Sequence, residues 1–228
     1  MIVRIPAGRA LSPVPLLVLL EPFGHFTARR YPGPVGRCEH DRRRGHVAAR
    51  DATTGATVTA LMLYENTLDD SARFLLGTIG TNPLVCLGVN PSIATPEKPD
   101  RTVTRFARYA ELNDHDSWAM LNLYPQRSTN PAGMHVVHLP ELKAANEQHI
   151  TKFIGGRKLT LLAAWGELIT TRPYLRGMLE SIVEITDAAS CDWQSIGGLL
   201  TSNHPRHPSR GAYLDLKPFD IDAYLRRL

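Results

Sequence analysis

"PLVCLGVNPS", residues 83–92, decides how the rest of the chain is read. Leu84 to Leu87 form a continuous apolar run, the pattern of a strand covered on both faces. The run drives straight into Gly88, and Asn90-Pro91-Ser92 follow two residues later. A nucleotide-binding strand would end in a glycine-rich loop of fixed spacing, with or without a lysine. This strand ends instead in an amide and a proline. A buried strand therefore delivers a polar amide at its carboxyl end.

Working outward, residues 57–65 and 72–79 read as two strands joined by the polar "NTLDD". Residues 100–112, "DRTVTRFARYAEL", have helical spacing, with Val103, Phe106, Tyr109 and Ala110 on one side and Asp100 placed as the N-cap. Residues 117–125 are the next strand, and 140–154 a helix with Pro140 in its first turn. Residues 158–166, "KLTLLAAWG", form a further buried strand ending in glycine. Residues 171–183 read as a helix, 191–198 as a short strand and 218–228 as a closing helix. Strands alternating with helices predict an α/β fold, a three-layer sandwich around a mostly parallel sheet.

The 228 residues suffice for one such domain, 58–228, preceded by a poorly patterned extension, 1–57. The charge divides at the same boundary. Residues 1–57 hold nine arginines and four acids, a net +5, against a whole-chain charge of +4. A basic arm of this kind, with Arg29, Arg30, Arg37 and Arg42 to Arg44, is suited to phosphates or is simply a solvated extension. No apolar run reaches the roughly 18 residues of a membrane span. "LSPVPLLVLL", residues 11–20, is broken by two prolines and followed by no clean cleavage site, so no signal peptide is expected. Cys38, Cys86 and Cys191 are odd in number, scattered and free of any C-x-x-C pair. That argues against a disulfide framework and for a cytoplasmic setting.

Ligands of parallel α/β sheets bind beyond the carboxyl ends of the strands. Those ends carry, in order, Gly88 to Ser92, then Asn122 to Pro125, then Trp165-Gly166-Glu167, then "SNHPRHPSRG" with His204, His207 and Arg210. No nucleophile elbow or Walker lysine occurs among them. His204 and His207 have no acidic or cysteine partner at metal-ligand spacing, so no metal is expected. Each feature has a bland reading: Asn90-Pro91 makes a good turn, and Trp165 is ordinary core.

In combination the ends resemble the motifs of the uracil-DNA glycosylase superfamily. "LGVNPS" looks like its first motif, a strand ending in Gly-x-Asn-Pro as in the mismatch-specific branch. "TRFARYAEL" is similar to the helix that follows, "MLNLYP" to the strand whose asparagine reads the flipped base, and "LLAAWGELI" to its Leu-Leu-Trp-Gly segment. "HPSRGAYL" resembles its second motif, His-Pro-Ser-Pro. Residues 58–228 most resemble a bacterial and phage family known only as a domain of unknown function. That family shares the Asn-Pro-Ser, Asp-x-Thr-x-x-Arg and Arg-His-Pro found here at 90–92, 100–105 and 206–208.

The resemblance implies a uracil-DNA-glycosylase-like fold and a monofunctional DNA glycosylase that needs no cofactor, acts on DNA with the nucleotide flipped out, and works as a monomer away from membranes. Catalysis falls to Asn90, which would position water, and His207, which would stabilise the departing base. Base binding falls to Gly88, Ser92, Phe106, Asn122 and Tyr124, with Phe106 or Tyr124 stacking on the ring. Asp100, Thr102, Arg105, Arg206, Ser209 and Arg210 would contact DNA or a base modification. Three positions differ from the uracil-specific pattern. Ser92 replaces the tyrosine that walls off carbon 5, Arg210 replaces the second proline, and Asn90 replaces the water-activating aspartate. A lowered wall needs another filter, which points to a bulky 5-modified pyrimidine such as hydroxymethylated or glucosylated cytosine in phage DNA, and to anti-phage defence. Alternatives are a repair enzyme for uracil or mismatched thymine, a non-catalytic base-binding module, and a hydrolase of free nucleosides or nucleotides.

Overall fold

The structure, a computed structural model, describes residues 62–228. The arginine-rich extension and the boundary expected at residue 57 lie outside the described residues. The elements run β1 (Met62–Asn66), β2 (Arg73–Thr78), β3 (Pro83–Gly88), α1 (Arg101–Leu112), β4 (Ser117–Asn122), α2 (Pro140–Ile154), β5 (Thr160–Ala163), α3 (Tyr174–Ala188), β6 (Asp192–Ile196), β7 (Leu216–Pro218) and α4 (Ile221–Leu225). The seven strands form one sheet in the order β1-β2-β4-β3-β5-β6-β7.

The centre of the sheet is parallel, β4 beside β3, β3 beside β5, and β5 beside β6. The chain's alternation of strand and helix produces this, because parallel neighbours need a crossover. The edges differ. β1 pairs antiparallel with β2, β2 with β4, and β7 with β6. β1 and β2 are joined by a six-residue turn, too short for a crossover. Within it Thr67 Oγ1 accepts from the Ala72 N–H, and Asp70 adopts a φ of +56°. β7 is a strand the sequence pattern does not announce: three residues, one of them proline, have no readable period.

β3 shows why its run is wholly apolar. Val85 and Leu87 enter one core cluster, Leu84 and Cys86 the opposite one. β5 repeats the alternation, with Leu161 and Ala163 on the first side and Leu162 on the second, and Ala164 just past its end joins the second side too. Each fully buried Leu or Val contributes about 1.5–3 kcal/mol. α1 covers the second face through Val103, Phe106, Tyr109 and Ala110. Its N-cap is Asp100, whose Oδ1 accepts from the Val103 N–H at 2.9 Å, a bond worth about 1 kcal/mol. Buried residues of α2, α3 and α4 enter the first cluster.

Candidate functional site

The register of β3 on β4 places Gly88 directly opposite Asn122. A Cβ at position 88 would lie 3.1 Å from Asn122 Oδ1. The glycine that ends the opening run is therefore the space the Asn122 side chain needs. Beyond these two residues the chains stay zipped, with the Leu123 N–H bonded to the Gly88 carbonyl and the Tyr124 N–H to that of Val89. At this end of the sheet lies a cavity of about 160 Å³. Gly88, Asn90, Ser92, Asp100, Thr102, Asn122 and His207 all line it, seven residues marked from the sequence. An apolar cavity of about 150 Å³ takes benzene, so this one has the size of a single six-membered ring.

Asn90 is clamped. Its Nδ2 donates to the carbonyls of Ser128 at 2.8 Å and Pro91 at 3.0 Å, with that of Gln126 at 3.5 Å. Three acceptors fix which end of the amide is nitrogen. Its Oδ1 accepts nothing from the described residues and remains able to receive a proton donor. Asn122 is 2 % exposed, and its Nδ2 has no partner among the described residues. An unpaired buried amide donor costs about 1–3 kcal/mol, which a ligand in the cavity can recover.

His207 sits on the far side of β3 from β2, beside Gly166 at the end of β5. Gly166 has a φ of +58°, and a Cβ there would stand 4.0 Å from that of His207. The ring's Nδ1 receives the Ser209 N–H at 3.3 Å and lies 2.8 Å from Ser209 Oγ. An Nδ1 that accepts a backbone proton leaves the neutral ring's own proton on Nε2. Burial lowers the His207 pKa, with Asp100 opposing and Arg210 reinforcing the shift. A neutral Nε2–H donor at neutral pH results. His204, by contrast, is committed elsewhere. Its Nδ1 lies 2.8 Å from the Tyr224 hydroxyl, which also accepts from Trp165 Nε1 at 2.9 Å.

Other expected roles are redistributed. Phe106 and Tyr124 are wholly buried on opposite faces of the sheet and do not line the cavity. Phe106 meets Trp118 edge to face, and the Tyr124 hydroxyl lies 2.7 Å from His135 Nδ1. Neither ring is free to stack on a base, because helical and strand periodicity turned both into the core. Arg105 holds the His207 loop: its Nε donates to the Pro208 carbonyl at 2.6 Å and its Nη2 to that of Gly211 at 2.9 Å, with the guanidinium over Tyr213. Ser209 serves the His207 ring, and Arg206 Nε bonds the Gly198 carbonyl. Arg210 is exposed. Among the six expected outer contacts, Asp100 and Thr102 line the cavity itself.

The cavity also contains residues that the sequence reading passed over: Arg73, Cys86, Ser128 and Thr129. Burial drives the Cys86 thiol pKa up, which keeps it protonated and unreactive. Arg73 is the more consequential. A lone arginine between Ala72 and Phe74-Leu75-Leu76 is out of place in a buried strand, and that was the available signal. Among the described residues no three His, Cys, Asp or Glu side chains cluster to hold a metal ion, and no helix is long and apolar enough to cross a membrane.

A family model described as "Protein of unknown function (DUF1643)" matches residues 73–209, so the chain belongs to that family. The matched segment contains every residue that lines the cavity. No curated protein and no solved structure matches the chain.

Proposed function

We propose that this member of the family is a monofunctional DNA glycosylase that hydrolyses the N-glycosidic bond of a pyrimidine flipped out of the duplex. The observation that carries the reading is the ring-sized cavity at the strand ends, with an unpartnered buried Asn122 amide, a clamped Asn90 and a neutral His207 donor around it. The motif resemblance to the uracil-DNA glycosylase superfamily supports it, as does the α/β sheet whose strand ends supply these groups in the superfamily's order.

In this reading Asn122 reads the edge of the base. Cleavage of the bond between C1′ and the base nitrogen leaves its electron pair on the base and oxocarbenium-like charge on the sugar. Water adds to C1′, and its proton leaves to solvent or to the released base. Asn90 is no base, so it positions that water through Oδ1. The His207 Nε2–H donates to a base oxygen as negative charge grows there, and a donor so placed is worth roughly 3 kcal/mol. No lysine lines the cavity, which favours direct hydrolysis over a Schiff-base route.

The preferred target is a pyrimidine with an oxygen-bearing group on carbon 5, in keeping with Ser92 in place of a bulky wall. Asp100 and Thr102, in the cavity wall, offer hydrogen bonds to the hydroxyls of such a group. Such bases in invading phage DNA would make the biological role defensive. The test is strand cleavage by alkali after incubation with matched duplexes carrying uracil, 5-hydroxymethylcytosine or its glucosylated form, with a thymine mismatch alongside. Release of a 5-modified base is expected. Release of uracil alone would return the protein to base-excision repair. Tight binding with no release from any duplex would favour a non-catalytic module, a reading consistent with an Asn90 nitrogen spent on backbone carbonyls.

A further inference from the structure

Arg73 enters the cavity from β2, on the opposite side of β3 from His207. It is 2 % exposed, and none of the seven ion pairs among the described residues includes it. Its Nη1 donates to the Ala94 carbonyl at 2.9 Å, and its Nε is buried without a partner among the described residues. The neighbouring Arg127 accounts for much of the loop by itself. It donates to the Ser92 carbonyl at 2.6 Å and to that of Ala94 at 3.3 Å, with its Nε 3.0 Å from Asp70 Oδ1 but poorly aligned for a hydrogen bond. The 89–94 loop thus has a second anchor, and Arg73 keeps donors to spare inside a ligand-sized space. Asp100, also in the cavity wall, is engaged through Oδ1 as the cap of α1.

Donors combined with a positive charge separate Arg73 from the other polar residues of the cavity. Asn122 can turn either end of its amide to a ligand, and the Ser and Thr hydroxyls rotate to suit. A guanidinium can only donate, and buried with no carboxylate paired to it, Asp100 being engaged in capping α1, it favours an acceptor that carries negative charge. We propose that Arg73 is a specificity-determining residue of this cavity, and that the ring it selects carries an anionic oxygen substituent, a carboxylate, on the side facing β2. This rests on the proposed binding of a pyrimidine ring here, and it narrows the oxygen-bearing group on that ring to an acceptor. A ring that presents amino hydrogens to the same wall meets two donors face to face and is excluded.

The test reads binding, so it is independent of whether any base is excised. Trp165 lines the cavity, and its fluorescence reports an occupant. Titration of the full chain with free 5-carboxyuracil, uracil and 5-aminouracil should give about tenfold or greater preference for the carboxylate over uracil, with 5-aminouracil weakest. Arg73→Gln keeps a neutral donor for Ala94 and should erase the preference; Arg73→Lys should restore part of it. Circular dichroism and thermal melting establish that each variant is folded. Equal affinities for all three compounds, or a preference that survives in folded Arg73→Gln, would overturn the assignment, as would no binding of the carboxylate at millimolar concentration. Preserved carboxylate selectivity in a protein that excises nothing would sink the glycosylase reading and leave this one standing.

Discussion

Replacement of Asn90 by aspartate tests the geometry most directly, because a carboxylate would be the better base and yet should fit worse. Asn90 Nδ2 makes two bonds of ordinary length, at 2.8 and 3.0 Å, to the carbonyls of Ser128 and Pro91. Each is worth about 1 kcal/mol net, so Asn90→Ala should lose about 2 kcal/mol. In Asn90→Asp an oxygen replaces the nitrogen and faces those same carbonyls, which adds roughly 1–3 kcal/mol of unsatisfied or repelling acceptors. The total for the aspartate variant is about 3–5 kcal/mol. With a urea m-value of about 2 kcal/mol/M, the midpoint should fall by about 1 M for alanine and about 2 M for aspartate. Acid distinguishes the two variants further. Facing carbonyls favour the protonated acid, so the folded pKa of the new carboxyl lies above its unfolded value of about 3.9. The folded state then binds more protons across that window, and stability falls as pH rises through it. The aspartate deficit should shrink on acidification towards about pH 4, while the alanine deficit should show no such change. Equal midpoints for the two variants at pH 7, or an aspartate variant as stable as the parent, would refute the clamp.

His204→Phe should lower the melting temperature by breaking the Trp165–Tyr224–His204 chain while leaving ligand binding in the cavity nearly intact; His207→Gln should do the reverse, and excision assays beside thermal melts would show it. Because burial depresses the His207 pKa below its ordinary 6.5, the unfolded chain binds more protons, so stability is complete above about pH 6.5 and declines as pH falls through that value; a pH series of melts should lose this slope in His207→Gln. Arg105→Ala removes two hydrogen bonds and a cation–π contact from the 208–213 loop, which should raise amide exchange there and reduce excision with little change in the salt dependence of DNA binding. Deletion of residues 1–50 removes nine arginines, and if they touch phosphates the plot of log K against log salt should become shallower.

The sequence by itself determined the central sheet and its first covering helix. Period-two burial, the N-cap Asp100 and the glycine-terminated runs are local signals, and they place Gly88, Asn90 and Asn122 at or just past strand ends because a strand's end follows from its own pattern, whereas His207 lies in the long loop between β6 and β7. Only the tertiary structure decided the antiparallel edges, since β2 and β7 take their direction from neighbours distant in the chain. It also decided which aromatic rings were available. Phe106 and Tyr124 read equally well as stacking platforms or as core until their partners on opposite faces of the sheet are known. His204 and His207, three residues apart, were separable only through what each ring touches: Tyr224 for one, Ser209 and the cavity for the other. Arg73 was visible as a charge in an apolar strand, but its meaning depended on its having no ion pair among the described residues while lining a cavity, and the surroundings of a buried charge are assembled from several strands and loops at once.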